Sequence, residues 1–293
     1  MFVSIIVTYN PDAAHVKNMI AVLVESSLKV LVFDNSVGDK RFVLDENYDG
    51  VFLLSENDNL GLAKAFNRSI AFANETFSDV EGFVFFDQDA TISLQNMEQF
   101  IQEYYRLECL KLNVGVLGAS AIDSQGQPYW VKRESGGHNL ADTNLVNAWF
   151  VMSSFSLVPS KVLDKVGGFD EDLFIDLVDS EFSFRCSKNG FQNIVTKRVE
   201  FLHVVGENNF EIFGKRLFAI SSPIRNYYQT RNVILVGKKY SWYFYIVKVL
   251  SRRIIQIVLS GIKTKTLGRR IVYFSKGFRD GLAARGGRID GKV

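Results

Sequence analysis

The first hundred residues alternate short, unbroken apolar runs with longer helical patterns, and this alternation constrains the fold more than any other feature of the chain. Phe2–Val7, Val30–Phe33, Val51–Leu54 and Gly82–Phe86 read as strands, two of them stopped by Asn10-Pro11 and Asp34-Asn35-Ser36. Asp12–Leu28, with Val16, Ile20 and Leu23 on one face, reads as a helix, as do stretches from about Leu62 to Ala73 and Leu94 to Leu110. A strand that is apolar throughout is covered on both faces. Strands alternating with helices predict a mostly parallel α/β sheet.

Such a sheet takes ligands in a crevice outside the carboxyl ends of its strands. Three polar clusters fall at those ends: Thr8-Tyr9-Asn10, Asp34-Asn35 and Asp87-Gln88-Asp89. Together they predict one crevice. The middle of the chain is less regular. Val114–Leu117 and Tyr129–Arg133 read as strands, Glu134–Asn139 as a Ser/Gly-rich loop, and Trp149–Pro159 as an apolar stretch with serines. Gly167-Gly168 opens a loop, and Asp179–Lys188 reads as a helix.

Composition removes several classes. With 47% hydrophobic and 23% charged residues the chain is neither disordered nor of low complexity. Two cysteines, Cys109 and Cys186, exclude a disulfide-stapled scaffold and fit a reducing compartment. The opening MFVSIIVTYNP reads as a buried strand and not as a signal peptide. The net charge of +2 hides an asymmetry. From Lys215 onward there are 18 basic and 2 acidic residues, a net +16, whereas residues 1–214 carry −14. The expected organisation is therefore an acidic body over residues 1–214, suited to a cation, and a basic region over 215–293, suited to phosphates.

That basic region reads as three helices, near Pro223–Val236, Trp242–Ile262 and Leu267–Leu282. In the second, Lys248, Arg252, Gln256 and Ser260 form a polar stripe against Ile246, Val249, Ile254, Ile257 and Val258. Twenty-one residues reach roughly 31 Å, close to the bilayer core. Spanning the bilayer would bury Arg252 and Arg253 at about 2.5–3.5 kcal/mol each. An interfacial helix on an anionic membrane surface is the expectation; packing inside the protein or in a homo-oligomer is the alternative.

Four constellations carry chemistry. Asp87-Gln88-Asp89 places carboxylates two apart after a buried strand, which a hard divalent cation would satisfy; an acidic turn alone is common, and its place at the crevice favours the cation. Asn59-Leu60-Gly61 leads into a helix whose N-terminus suits an anion. Asn59 also fits a cap, and Asn67, a turn or more into the helix, implies contact with a ligand or a neighbouring loop. Between Asp170 and Glu181 lie six carboxylates. Asp176, Asp179 and Glu181 straddle a helix start, as caps in a solvated turn or as a general base. His203 follows a strand end, as a core residue or as a metal ligand.

The ordered set Val7-Thr8-Tyr9-Asn10, Phe33-Asp34-Asn35-Ser36, Asn59-Leu60-Gly61-Leu62-Ala63, Asp87-Gln88-Asp89, Gly168-Phe169-Asp170…Asp179 and His203 resembles the family 2 inverting glycosyltransferases with a GT-A fold, over about residues 1–206. Within that family the Asp-Gln-Asp form, Phe174-Ile175-Asp176-Leu177-Val178-Asp179-Ser180-Glu181 and Arg225-Asn226-Tyr227-Tyr228…Arg231-Asn232 are similar to bacterial dTDP-rhamnosyltransferases. The resemblance implies a catalytic domain over 1–214, with a mixed, mostly parallel sheet, and a helical extension. It implies that Thr8, Tyr9, Asp34, Asn59, Gly61, Asn67 and Asp87 hold the nucleotide sugar. Asp89 and His203 would ligate Mg2+ or Mn2+, and Asp179 would be the catalytic base. Trp149, Asp176 and Glu181 fall on the acceptor side.

The implied partners are dTDP-L-rhamnose and a glycan acceptor linked to polyprenyl diphosphate, at the cytoplasmic face of the cell membrane, in the synthesis of O-antigen or another surface polysaccharide. Two positions depart from the family pattern. The usual Glu-Asp is Val178-Asp179, and the usual Ser-Gly-Ser is Ser154-Phe155-Ser156. UDP-galactofuranose, UDP-glucose and UDP-GlcNAc are rival donors for the same fold. A nucleic-acid-binding role for the basic tail is the rival from another class, and the apolar stripe argues against it.

Overall fold

The computed structural model describes residues 1–44, 48–123, 126–128, 142–203, 208–212 and 215–289. The strand expected at Tyr129–Arg133 and the loop at Glu134–Asn139 lie outside the described residues, as does Val204–Gly206. The chain forms two compact units. One comprises Met1–Phe169 and Asp179–His203, the other Asp170–Val178 and Val204–Val293. This division differs from a single boundary at residue 214. The reason is a set of hydrogen bonds within the second unit that claims the 170–178 segment, described below.

The first unit is a mixed α/β fold around an eight-stranded sheet. Its elements are β1 (Phe2–Thr8), α1 (Ala13–Glu25), β2 (Lys29–Asp34), β3 (Val51–Ser55), α2 (Leu62–Thr76), β4 (Gly82–Asp87), α3 (Leu94–Cys109), β5 (Val114–Ile122), β6 (Leu145–Asn147), β7 (Ser156–Pro159), α4 (Ser160–Val166), α5 (Val178–Lys188) and β8 (Gln192–Leu202). The strand order is β3-β2-β1-β4-β7-β5-β8-β6. β3, β2, β1 and β4 are mutually parallel, in register Thr8↔Asp34 and Val7↔Asp87 at their ends. β7 is antiparallel to both β4 and β5, and β5 is parallel to β8. Two reversals through β7 restore the direction, so β1, β2, β4, β5 and β8 all end on one rim. This is the rim that the polar clusters predict.

The sequence marks only the end of β8. Lys197 and Arg198 interrupt its apolar pattern, and its pairing with β5 jumps from Thr196 to Glu200 while β5 advances one residue. This bulge re-aims the end of β8. Phe155, which stands where the family has glycine, has a φ of +53°. A side chain there is strained, and its ring makes up for this in the core. It is fully buried between Phe86, Phe100 and Phe201, at centroid distances of 5.1, 4.8 and 5.5 Å. The departure from glycine therefore enlarges the core.

The second unit contains the antiparallel pair β9 (Asn208–Ile212) and β10 (Lys215–Ile220), which the sequence reading lacks, and three helices, α6 (Arg225–Lys239), α7 (Tyr243–Lys263) and α8 (Leu267–Leu282). Its interior is organised by two neighbouring side chains of α6. Buried Arg231 donates through Nη2 to the Asp172 and Leu173 carbonyls (2.8 and 3.1 Å), through Nη1 to the Gly287 carbonyl, and through Nε to Asn232 Oδ1 (2.9 Å). The Asn232 amide donates to the carbonyls of Leu173, Ile175 and Asp176 at 2.7–2.8 Å.

The segment so held is contorted. Phe174 has φ 59° and ψ −63°, and the Ile175 N–H bonds the Leu173 carbonyl, which makes a γ-turn. Asp176 and Leu177 also have positive φ. Sparsely populated conformations of this kind cost on the order of 1–3 kcal/mol each and persist only where the surroundings over-determine them.

On α7, Leu250, Ile257 and Ser260 are buried. The exposed row is Phe244, Val247, Ile254, Ile255, Val258 and Ile262, with Phe244 81% exposed. The two stripes read from the sequence are thus each divided: Ser260 of the polar one and Ile257 of the apolar one turn inward, while Ile254 and Val258 face out. Among the described residues no helix is long and apolar enough to cross a membrane.

Phe155→Ala should lower the stability of the first unit by about 3–5 kcal/mol, since it empties a ring site and keeps the strained φ. Urea unfolding followed by intrinsic fluorescence would measure the loss; an unchanged midpoint would contradict the core role of this ring.

Candidate active site

The rim of the first unit is built by hydrogen bonds between strand ends. Thr8, the last residue of β1, donates from Oγ1 to Asp34 Oδ1 at 2.8 Å. Asp34, the last residue of β2, is 1% exposed and also accepts from Ser36 N–H (3.1 Å), Ser36 Oγ (2.7 Å) and Phe42 N–H (2.7 Å). A carboxyl group so saturated with hydrogen bonds is a fixed node that shapes the turns after both strands. Asn10, with a φ of +48°, is tied through its N–H to Ser36 Oγ (2.7 Å). The Tyr9 N–H donates to Gln88 Oε1 (2.6 Å), and Tyr9 is 53% exposed.

The loop before α2 joins the same rim. Asn35 is buried; it accepts from the Leu60 N–H (3.0 Å) and donates to the Gly61 carbonyl (3.2 Å). Asn59 is not the helix cap. Its Oδ1 accepts the Gly61 N–H (2.8 Å) in a tight turn, and Gly61 caps α2 with φ +78° and no side-chain bond. Asn67 faces a neighbouring loop: its amide takes the Phe169 N–H (2.8 Å) and donates to the Phe169 carbonyl (2.9 Å). The Phe169 ring packs on Phe66, Phe85 and Phe182 at 5.0, 5.3 and 4.5 Å. Asn67 thus fixes the Gly167–Phe169 loop from one side while the aromatic cluster fixes it from the other.

At the end of β4, Asp87 and Asp89 meet His203, which follows β8. One ligand atom from each lies within 4.8 Å of the others. The Asp87 N–H reaches Ser154 Oγ (3.5 Å). His203 is buried, and its backbone N–H donates to the carbonyl of Ile122, the last residue of β5 (2.9 Å). Burial pushes the His203 imidazole below its ordinary pKa, against the pull of Asp89. The neutral ring is the form that ligates a metal. Two carboxylates and one neutral imidazole suit a divalent cation that also takes phosphate oxygens.

Asp179 stands in the first turn of α5, its Oδ1 accepting the Ser180 N–H (2.7 Å), and lines a small cavity with Ser153, Ser156, Phe182 and Ser183. Glu181, expected on the acceptor side, is fully buried, and its carboxylate is held by Arg185 at 2.8 and 3.2 Å. Trp149 is exposed, in the bend between β6 and β7. Asp176 belongs to the second unit, where Arg225 binds it through both Nη2 (2.6 Å) and Nε (3.2 Å). The tethers that sequence reasoning left out of the site are Asn35, Ser36, Gln88 and Ser154. All four sit inside motifs it quoted, beside residues with more evident chemistry.

An eight-stranded, mostly parallel sheet whose strand ends bring together an Asp-Asp-His cluster is the architecture of a GT-A glycosyltransferase. No family model matches the chain. Among solved structures it is similar to GalNAc-T7 with UDP, GalNAc and Mn2+, at a TM-score of 0.61 and 13% identity, over 97% of this chain and 56% of that one. A lower likeness, TM-score 0.48 and 13% identity over 99% and 93% of the two chains, is to S. aureus TarS 1–349 in complex with UDP-GlcNAc. In sequence it is 30% identical over 248 residues to the dTDP-rhamnosyl transferase RfbF of Shigella flexneri, covering 80% of this chain and 79% of that protein. The chain belongs to the family of that rhamnosyl transferase, within the family 2 glycosyltransferases.

Asp89→Asn should weaken Mn2+ binding by more than about the 10–100-fold seen when a ligand's outer partner is lost. Calorimetry with Mn2+ would measure it, with the thermal midpoint unchanged; undiminished binding would remove Asp89 from the ligand set.

Proposed function

We propose that the protein is a metal-dependent inverting rhamnosyltransferase that moves L-rhamnose from dTDP-L-rhamnose to a hydroxyl of a glycan acceptor. The observation that carries the reading is the convergence of Asp87, Asp89 and His203 beside the Tyr9 and Gly61 turns, in a chain of this family. Bound Mg2+ or Mn2+ would supply Lewis-acid neutralisation of the diphosphate leaving group. The chain's own residues do the rest. Tyr9 presents its exposed ring to the nucleotide base, and the saturated Thr8–Asp34 node keeps the turn around base and ribose in shape. Asn59 and Asn67 act on the donor through the loops they hold, and Asp87 lies on the ribose side.

Asp179 takes the proton of the acceptor hydroxyl, and the oxygen attacks the anomeric carbon from the face opposite the nucleotide. The carbon–oxygen bond to dTDP breaks, and a β-linked donor gives an α-rhamnoside. One displacement needs one base. Trp149 lies on the acceptor side of the rim.

The acceptor is read as a polyprenyl-diphosphate-linked glycan of a surface polysaccharide, met at the inner face of the membrane. The exposed α7 row, with Lys248, Arg252 and Lys263 along it, supports that location, since lipid rewards an apolar face bordered by basic side chains.

Asp179→Asn should lower turnover by at least about 10²-fold and leave dTDP-rhamnose affinity nearly unchanged. Steady-state kinetics beside donor titration would decide it; an active variant would move the base elsewhere. In the presence of Mg2+, dTDP-rhamnose should raise the thermal midpoint more than any UDP-sugar, and the reverse order would reject the rhamnosyl donor while leaving the fold intact. Phe244→Ser with Ile255→Ser should cut flotation with anionic liposomes. Retained flotation, or a change of oligomeric state by light scattering instead, would assign the row to another surface.

A further inference from the structure

β8 reaches the rim by way of three extra residues. Thr196 stands opposite Ala119 of β5, and the pairing resumes at Glu200 opposite Ser120, so Lys197, Arg198 and Val199 are set aside between them. Phe201 and Leu202 then pair with Ala121 and Ile122, and the His203 backbone N–H bonds the Ile122 carbonyl (2.9 Å). A strand rises about 3.3 Å per residue, so without the three residues His203 would stand about 10 Å farther along. Its ring would then miss Asp87 and Asp89, whose ligand atoms it now meets within 4.8 Å. Three is an odd number, so their loss would also turn every later side chain of the strand to the opposite face. The Asp-Asp-His cluster therefore depends on how many residues the bulge holds.

Each extra residue is anchored from outside the strand. The Lys197 N–H donates to the Asn144 carbonyl (2.8 Å) and its Nζ to the Thr143 carbonyl (3.0 Å), both just before β6. Val199 is buried in the core. Arg198 pairs through Nη2 with Asp142 Oδ2 (2.8 Å) and donates through Nη1 to Glu103 Oε1 on α3 (3.4 Å). Glu103, only 4% exposed, also accepts from Arg106 Nε and Nη2 (2.8 Å each) and from Thr196 Oγ1 (3.2 Å). The Thr196 hydroxyl oxygen in turn accepts the Arg198 backbone N–H (3.2 Å). One carboxylate thus grips both the residue before the bulge and the residue at its centre. Against the effect of burial, the hydrogen bond and charge of Arg106 and the charge of Arg198 hold the Glu103 carboxyl below its ordinary pKa. A buried ion pair adds little net stability over apolar packing. What this one fixes is the register.

We propose that Glu103, acting through Thr196 and Arg198, is a positioning residue for the metal site: it holds the β8 bulge and so sets the place of the His203 imidazole. The consequence for metal binding rests on the metal reading above, whereas the placement of His203 does not.

The test has two readouts on the full chain, calorimetric titration with Mn2+ and the imidazole Cε1–H resonance of His203 without metal, assigned with His203→Gln. Glu103→Ala removes the carboxylate. Thr196→Val keeps the branched shape and every charge but cuts the link to the bulge, and Thr196→Ser restores the hydroxyl. Phe52→Ala, at the opposite edge of the sheet, takes a ring from a cluster with Phe72 and Phe77 (5.6 and 5.4 Å) and controls for lost stability alone. Mn2+ affinity should fall at least tenfold in Glu103→Ala and Thr196→Val, the range seen when a ligand's outer partner is lost. The His203 resonance should move in both, and Thr196→Ser and Phe52→Ala should keep the wild-type values. If Glu103→Ala does not fold, Thr196→Val decides. Wild-type affinity and an unmoved resonance in Thr196→Val, or equal losses in Phe52→Ala, overturn the proposal. A wild type that binds no Mn2+ defeats the metal reading instead. The resonance then decides by itself: movement in Thr196→Val but not in Phe52→Ala supports the placement, and no movement overturns it.

Discussion

A strand covered on both faces has room for charged side chains mainly at its ends, and the chemistry of this protein follows from that constraint. β1, β2 and β4 are buried almost throughout, and each closes on a polar residue: Thr8, Asp34 and Asp87. Because β7 runs against both β4 and β5, the later strands point the same way as the early ones. The rim therefore collects groups from distant parts of the chain without any of them crossing the core. His203 meets Asp87 and Asp89 across more than a hundred residues for this reason.

The rim is cross-linked by hydrogen bonds of the protein itself. Asp34 takes four hydrogen bonds, Gln88 ties the end of β4 to the turn after β1, and Asn35 ties β2 to the turn before α2. Holding these turns in place beforehand lowers the ordering cost of binding a flexible nucleotide sugar. The candidate site residues divide into those that spend polar atoms on the scaffold, such as Thr8, Asp34 and Asn67, and those left exposed, such as Tyr9 and Asp89.

Much of this was legible in the sequence, for particular reasons. Unbroken apolar runs fixed the strands, and the polar residues after them fixed the rim. Whether a polar residue at the rim faces ligand or protein was not legible. Asn67 and Glu181 illustrate this, since each partner, Phe169 or Arg185, comes from another element or turn. Phe155 was opaque because its positive φ shows only in the backbone, β9 because Asn208–Ile212 has no apolar run, and β10 because its apolar run, residues 217–220, is only four residues long. On α7 the pattern gave the period but not which face turns inward; that depended on what Leu250 and Ile257 pack against.

The chain leaves the first unit after Phe169, spends nine residues in the second, and returns at Asp179. During that excursion its carbonyls at Asp172, Leu173, Ile175 and Asp176 are served by Arg231 and Asn232, side chains that come more than fifty residues later. A protein cut after His203 would be left with a stranded loop directly ahead of α5, its γ-turn without the donors that enforce it. The C-terminal helices are thus no detachable cassette that recombination could exchange between transferases. An exchange that brings in a new α6 must bring its matching 170–178 segment as well, so the two stretches, far apart in the gene, are bound to be inherited as a pair.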